Sequence, residues 1–384
     1  MKKNDSQFFS GVFIIAEAGT SHGGDKEQAK DLLPAAAEAG ADCVKFQAVF
    51  ADEIIHPRTG KVPLPGGDVP LYEVFKRLER HTDFYAALKE ETESKGCVFL
   101  CTPFGIKSAG MLKRLGVRMI KIASPELNHF PLLREVASYR LPVILSTGVS
   151  TLEDIASALS FFPRNETEGD GSPFPSHPAL SDPVILLHCV TAYPAPEEEY
   201  NLQLIPKLSA RFNVPVGLSD HSADPLLVPS AAAALGARAV EKHICLRHNE
   251  AGLDDPFALK PGQFEEMVRE IRRYERLYSE TGTEAGLKAL RESCGCKRAE
   301  RIIGDGVKRL APSEAGNYAR TNRSIHAVID LSEGAVLSKK NIAVLRTEKV
   351  LTPGLHPKWF DTILGRRLER PVPAGEGIGW EDLA

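Results

Sequence analysis

Eight times before residue 244 the chain repeats one figure: a mostly apolar run of five to eight residues that turns polar at its C-terminal end. The runs are 12–17, 42–47, 97–101, 119–123, 142–146, 184–190, 214–221 and 239–243. Each has the length of a strand buried on both faces. Helix signals fill the intervals. Asp25 caps a helix running to Gly40, with Pro34 inside it arguing for a kink or a break. Thr82 and Asp83 open another that ends at Gly96, and Thr151-Leu-Glu-Asp154 is a variant capping box. Between the last two runs, Asp224 is placed to cap, Pro225 to occupy a first turn and Gly236 to end a helix, with Pro229 in its second turn. Strands alternating with helices predict parallel pairing, and eight such units predict a closed (β/α)8 TIM barrel rather than an open sheet.

Chemistry gathers where these runs end: Glu17, Lys45 with Gln47, Thr102, Lys121 with Ser124 and Glu126, Ser146 with Thr147, His188, Ser219 to His221, and His243. In a parallel barrel that end carries the active site. A purely structural layer has no need of so many charges, because an unpaired buried charge is costly. His221 and His243 end neighbouring strands, so their imidazoles converge at one edge. They could bind a divalent metal or merely hydrogen-bond, and the residues alone leave both open.

Two insertions interrupt the pattern. Residues 51–76, with Pro57, Pro63, Pro65, Gly66 and Gly67, form a long loop expected to overhang the strand ends, and 163–183 read as a polar surface excursion. Pro261 begins an amphipathic closing helix. The expected division is a barrel over residues 1–280, a charged, glycine-interrupted linker over 281–316, and a small β-rich domain over 317–384. A net charge of −4 gives no basic footprint for nucleic acid, and no apolar run approaches the length needed to span a membrane. The first residues hold no signal-peptide core. Five of the seven cysteines fall in strand-like runs, which predicts reduced buried thiols and a cytoplasmic setting. Cys294-Gly-Cys296 has no second pair nearby to complete a metal site.

Several ordered motifs then resemble the sialic acid synthase family, the phosphoenolpyruvate-dependent nonulosonate synthases. They are Phe13-Ile-Ile-Ala-Glu-Ala-Gly19, Gly40-Ala-Asp-Cys-Val-Lys-Phe-Gln47, Lys121-Ile-Ala-Ser-Pro-Glu126, Leu145-Ser-Thr-Gly148, His188-Cys-Val-Thr-Ala-Tyr-Pro194, Gly217-Leu-Ser-Asp-His221 and Val240-Glu-Lys-His243. Arg323-Ser324, Pro353-Gly-Leu-His-Pro357 and Leu364-Gly365 are similar to that family's antifreeze-like (SAF) domain, and the spore-coat polysaccharide branch looks nearest.

The resemblance implies condensation of phosphoenolpyruvate with an open-chain 2-acylamino hexose to give a nine-carbon 2-keto acid and phosphate. It assigns Lys45, Lys121, Thr102, Ser146 and Gly148 to the phosphate, and Ser124, Ser219 and Thr191 to the carboxylate. Gln47, Glu126 and Tyr193 go to the sugar, and Glu17 and Asp254 to proton transfer. His221 and His243 become ligands of a metal, manganese by preference with magnesium or cobalt as alternatives. A domain-swapped homodimer is implied, with Arg323, or else Arg320, reaching a neighbouring subunit's sugar. The sequence departs from the family pattern at Ser21-His22, Gly66-Gly67-Asp68 and Thr191. Three rivals remain: a barrel that condenses phosphoenolpyruvate with a phosphorylated aldose, a Schiff-base aldolase using Lys45, Lys121 or Lys242, and a lapsed carbohydrate-binding protein.

Overall fold

The computed structural model describes residues 11–64, 67–162, 184–247 and 256–384. Its strands are β1 (Phe13–Gly19), β2 (Cys43–Ala48), β3 (Lys61–Leu64), β4 (Gly67–Pro70), β5 (Val98–Pro103), β6 (Ile120–Ile122), β7 (Val143–Ser146), β8 (Val184–Cys189), β9 (Val216–Asp220), β10 (Ala239–His243), β11 (Arg323–Ala327) and β12 (Ile342–Arg346). Eight of them form one parallel sheet in the order β5-β2-β1-β10-β9-β8-β7-β6. The two ends of that order, β5 and β6, come back into contact and close a TIM barrel.

Eleven helices enter the argument: α1 (Lys26–Glu38), α2 (Leu71–Leu78), α3 (Thr82–Ser94), α4 (Ile106–Leu115), α5 (Phe130–Ser138), α6 (Leu152–Leu159), α7 (Leu204–Phe212), α8 (Leu227–Ala234), α9 (Pro261–Thr281), α10 (Thr283–Cys294) and α11 (Cys296–Ile303). Period-two alternation sorts each barrel strand into two faces. On β1, Ile14 and Ala16 join the large core under the helices, while Phe13 and Ile15 join a second cluster with Cys43, Val98, Leu100, Ile144, Ile185, Leu187 and Ala239. That second cluster fills the bottom of the barrel and leaves the layer above it for polar side chains.

Several expectations need correction. α1 runs through Pro34 without a break, because Leu32, Leu33 and Ala36 around it are buried and their packing outweighs one lost backbone bond. Asp224 caps with its Oδ1 on the amides of Leu226 and Leu227, at 2.9 and 3.0 Å, so α8 starts after Pro225 rather than at it. The overhanging segment 51–76 carries regular structure of its own: β3 and β4 pair antiparallel and α2 follows. The supposed linker is largely helical. Gly282 and Gly295, both at φ near +80°, separate α9, α10 and α11, and Leu290, Ala299, Ile302 and Ile303 are buried in the barrel's outer core. Charge and glycine there mark helix boundaries, not a tether. The excursion 163–183 lies outside the described residues.

The small domain is built on the antiparallel pair β11–β12, with Arg323 opposite Arg346. Ile325, Leu337, Val344, Ile363 and Ile378 fill its core. It sits over the mouth of its own barrel. The Arg346 amide donates to the Ile54 carbonyl at 2.8 Å, Asn128 bonds both backbone groups of Arg323 at 2.9 Å, and Arg58 pairs with Asp330.

Candidate active site

The inward positions continue upward from the apolar layer by twos. Phe13 and Ile15 lead to Glu17, Cys43 to Lys45 and Gln47, and Leu100 to Thr102. Ile144 leads to Ser146, Leu187 to Cys189, and Ala239 to Glu241 and His243. All of these upper residues line one cavity at the C-terminal mouth, together with Lys121, Ser124, Thr191, Tyr193, Ser219 and His221. The same alternation removes other polar residues from the site. Lys242 points outward to Asp220 and the Ser222 carbonyl, both at 2.6 Å, and His188 bonds the Tyr200 carbonyl. Thr147 donates to the Leu187 carbonyl.

At the centre, Lys45 lies 3.2 Å from Glu17 and 3.1 Å from Glu241, while Lys121 lies 2.7 Å from the Ser146 hydroxyl and 3.7 Å from Glu241. Gln47 donates to Glu17 at 2.7 Å, and Ser219 to Glu241 at 3.0 Å. Neutralisation is uneven. Burial lowers both ammonium groups, but two carboxylates hold Lys45 above the ordinary lysine value. Lys121 has one more distant carboxylate and a neighbouring Lys45, and burial pushes it down to about 8. Burial also raises Glu17, against the pull of Lys45. Glu241 is held down to about 2 against its burial by Lys121 and Lys45. Lys121 is therefore the cation that gains most from an added anion.

Around it are polar groups placed to receive one. The buried hydroxyls of Thr102 and Thr191 have no hydrogen-bond partner among the described residues. Gly148 donates its amide to the Ser124 hydroxyl at 3.0 Å. A Cβ on Gly148 would stand 2.0 Å from the Thr191 hydroxyl and 3.0 Å from that of Ser124, so only glycine lets these loops approach so closely.

His221 and His243 stand side by side at the rim, ring centroids 5.7 Å apart. Tyr193 tilts over His221 at 4.3 Å and Phe257 meets His243 edge-on at 5.1 Å. Val190 accepts at 2.8 Å from the Nδ1 side of His221, which leaves Nε2 for another partner. Burial, with His221 and Lys45 nearby, holds His243 neutral, the form a metal requires. Among the described residues no cluster of three His, Cys, Asp or Glu forms a complete metal site. The pair fits an ion as two of its ligands, with its other positions open to substrate and water.

Of the residues expected from the sequence, Glu126, Gly148 and Arg323 stand behind the cavity wall. Glu126 is fully buried and takes Arg323 at 2.8 Å and Arg346 at 2.7 Å. Arg323 also donates to the carbonyls of Glu53, Ile54 and Phe104. The small domain's cavity-lining arginine is Arg346, which stands directly opposite Arg323 on the same face of the strand pair and shares Glu126 with it, but lies nearer the cavity. Asp254 lies outside the described residues. Sequence reasoning passed over Glu241, Arg346, Phe75 and Phe104, all of which line the cavity. Glu241 was recoverable, since it precedes the inward-facing His243 by two on one strand.

A closed parallel barrel with buried lysine–carboxylate pairs, two rim imidazoles and a β-domain over the mouth puts these groups where TIM-barrel enzymes carry their active sites. The chain belongs to the NeuB family, which it matches over residues 32–282, with the SAF domain following over 322–384. It is 36% identical to the spore coat polysaccharide biosynthesis protein SpsE of Bacillus subtilis, over 97% of this chain and 93% of that one. The crystal structure of that protein superposes with a TM-score of 0.79 at 34% identity, covering 97% of this chain and 95% of the other. The chain is 33% identical to an N,N'-diacetyllegionaminic acid synthase of Legionella pneumophila, over 97% and 94% of the two chains. With a pseudaminic acid synthase of Campylobacter jejuni it shares 30% identity, over 97% and 96%. No described helix is long and apolar enough to cross a membrane.

Proposed function

We propose that the chain joins phosphoenolpyruvate to the aldehyde of an open-chain 2-acylamino hexose, consuming water and giving a nine-carbon 2-keto sugar acid and phosphate. The observation that carries this reading is Lys121, a buried ammonium short of negative charge that bonds Ser146 and lines one cavity with Ser124 and the unpartnered Thr191 hydroxyl. A phosphate or carboxylate supplies what that group lacks. The legionaminic and pseudaminic acid synthases among the relatives support a nonulosonate product.

In the reaction, C3 of phosphoenolpyruvate bonds to the aldehyde carbon, and the aldehyde oxygen takes a proton. C2, left electron-poor, accepts water, and phosphate departs as the C2–O bond breaks. Lys121, Ser146 and Ser124 hold the anion, and Lys45 balances the charge of Glu17 and Glu241 beside it. Glu17, whose carboxyl is raised by burial, is suited to deliver a proton to the aldehyde oxygen and to take one from the incoming water. The small domain keeps bulk water from the electron-poor C2. His221 and His243 would hold a divalent ion, manganese by preference, which polarises the aldehyde oxygen when bound.

The cations of the overhanging segment argue against a phosphorylated sugar. Of its three cations, Arg58 is committed to Asp330 and Lys76 to Asp52 and Glu79, which leaves only the exposed Lys61. One observation favours a second reading: a lysine lowered to about 8 is also what imine formation needs. Borohydride reduction with substrate present separates the two, because the condensation leaves no adduct on Lys121. The direct test follows phosphate release from phosphoenolpyruvate across a panel of acylamino hexoses, with and without manganese. Release that ignores the sugar would refute the proposal.

A further inference from the structure

The turn that follows β7 is held from outside the barrel. Val149, a buried β-branched residue, sits at φ +42°, a conformation that such a side chain adopts only when its surroundings enforce it. The enforcing groups come from residues 308–322, between α11 and the small domain. Glu314 accepts from the Val149 amide at 3.1 Å and from the Thr191 amide at 2.7 Å, both on the same carboxylate oxygen. Asn322 donates to the Val149 carbonyl at 3.1 Å, and Lys308 to the Thr147 carbonyl at 3.1 Å.

These contacts meet the anion-holding side of the cavity from behind. Gly148, between Thr147 and Val149, is wedged against the hydroxyls of Ser124 and Thr191. Thr191 presents its unpartnered hydroxyl on one side while its amide is clasped by Glu314 on the other. One buried carboxylate thus ties the loop after β7 to the loop after β8, where Gly148 packs against the cavity-lining Ser124 and Thr191. Asn322 is adjacent to Arg323, the first residue of β11. Seating the small domain and shaping the anion subsite are consequently one event.

We propose that Glu314 is a positioning residue for phosphoenolpyruvate: it touches no substrate, and it sets the Gly148 and Thr191 groups against which the anion binds. The inference rests on the reading of this cavity as a phosphoenolpyruvate site. It goes beyond that reading in assigning the subsite's geometry to a residue outside the barrel. A carboxylate suits the task because one oxygen can accept from two amides at once. Without it both amides are buried with no acceptor, and the strained turn has every reason to relax.

The test uses the full-length chain as wild type, Glu314→Ala, Glu314→Gln and Tyr318→Phe. The last removes a contact from the same segment to Asp154 without touching the turn. Calorimetric titration of the wild type with phosphoenolpyruvate comes first, and failure to bind would overturn the reading of the cavity and this inference with it. Given binding, Glu314→Ala should raise both Kd and KM for phosphoenolpyruvate by about tenfold or more, with KM for the sugar little changed. Glu314→Gln keeps an acceptor oxygen and should return to within about threefold of wild type. Tyr318→Phe should leave phosphoenolpyruvate affinity alone. A merely structural clip would lower the active fraction, and so kcat, without moving KM for phosphoenolpyruvate, and that pattern would overturn the proposal. Should Glu314→Ala fail to fold, Asn322→Ala frees the Val149 carbonyl and the Ala319 amide, leaves the Glu314 carboxylate in place, and should raise the same KM several-fold. An unchanged value there refutes the inference equally.

Discussion

Replacing Lys121 with methionine should make the protein more stable and less able to bind its anion. Holding the Lys121 ammonium down from 10.5 to about 8 costs folding roughly 3 kcal/mol at pH 7, at about 1.4 kcal/mol per tenfold change in proton affinity. Glu241 records the same attraction from its own side, so the two shifts describe one interaction and are not summed. Glu241 keeps Lys45 at 3.1 Å and the Ser219 hydroxyl, and so stays charged in the variant. The lost hydrogen bond to Ser146 costs about 1 kcal/mol, leaving Lys121→Met ahead by about 2 kcal/mol at pH 7. Between pH 8 and 10.5 the unfolded lysine retains a proton that the folded one has released. Wild-type stability therefore climbs with pH through that window, and its deficit all but vanishes by about pH 10. Urea unfolding of both proteins at pH 7 and pH 10 measures this, and calorimetry measures an expected loss of phosphoenolpyruvate affinity of about tenfold to a hundredfold. A variant less stable than wild type at pH 7, or a difference that does not close on raising the pH, would refute the electrostatic reasoning.

Other outcomes follow from the same geometry. His221→Ala should bind manganese weakly in a direct titration and lose turnover by roughly two orders of magnitude or more, and full activity of the wild type in excess chelator would count against a metal there. Gly148→Ala drives a methyl into the Thr191 and Ser124 hydroxyls, and thermal unfolding should show a loss of about 1–3 kcal/mol alongside a raised KM for phosphoenolpyruvate. Arg346→Ala should raise KM for the sugar by about tenfold while sparing that for phosphoenolpyruvate, since Arg346 lines the cavity from the small domain. Equal effects on both substrates would place Arg346 elsewhere.

The barrel was legible because each of its strands is a short apolar run with a polar end, and that pattern needs no tertiary information. The charged layer was legible in part for the same reason: Glu17, Lys45, Gln47 and His243 are inward by alternation. Glu241 obeys that rule too, but the adjacent Lys242 drew notice as the charged group although it faces outward to Asp220. What alternation could not supply is the approach of distant segments. Arg323 and Arg346 stand opposite each other on the two strands of one hairpin and both pair with Glu126, and only the docking of that hairpin decides which of them also lines the cavity. Glu314 was silent because its partners are backbone amides more than a hundred residues away. The helices α10 and α11 were hidden by their glycines and surface charge, while the buried face of Leu290, Ile302 and Ile303 carries the signal that a linker would lack.

The proposed reaction is measured most directly through its product. Phosphoenolpyruvate labelled with carbon-13 at C3, incubated with a 2-acylamino hexose, manganese and the full-length chain, should give a 2-keto acid followed by mass and carbon NMR. The expected result is one phosphate released per nine-carbon acid formed, with the labelled carbon bonded to the former aldehyde carbon. Phosphate released as pyruvate accumulates, with no new carbon–carbon bond, would contradict it.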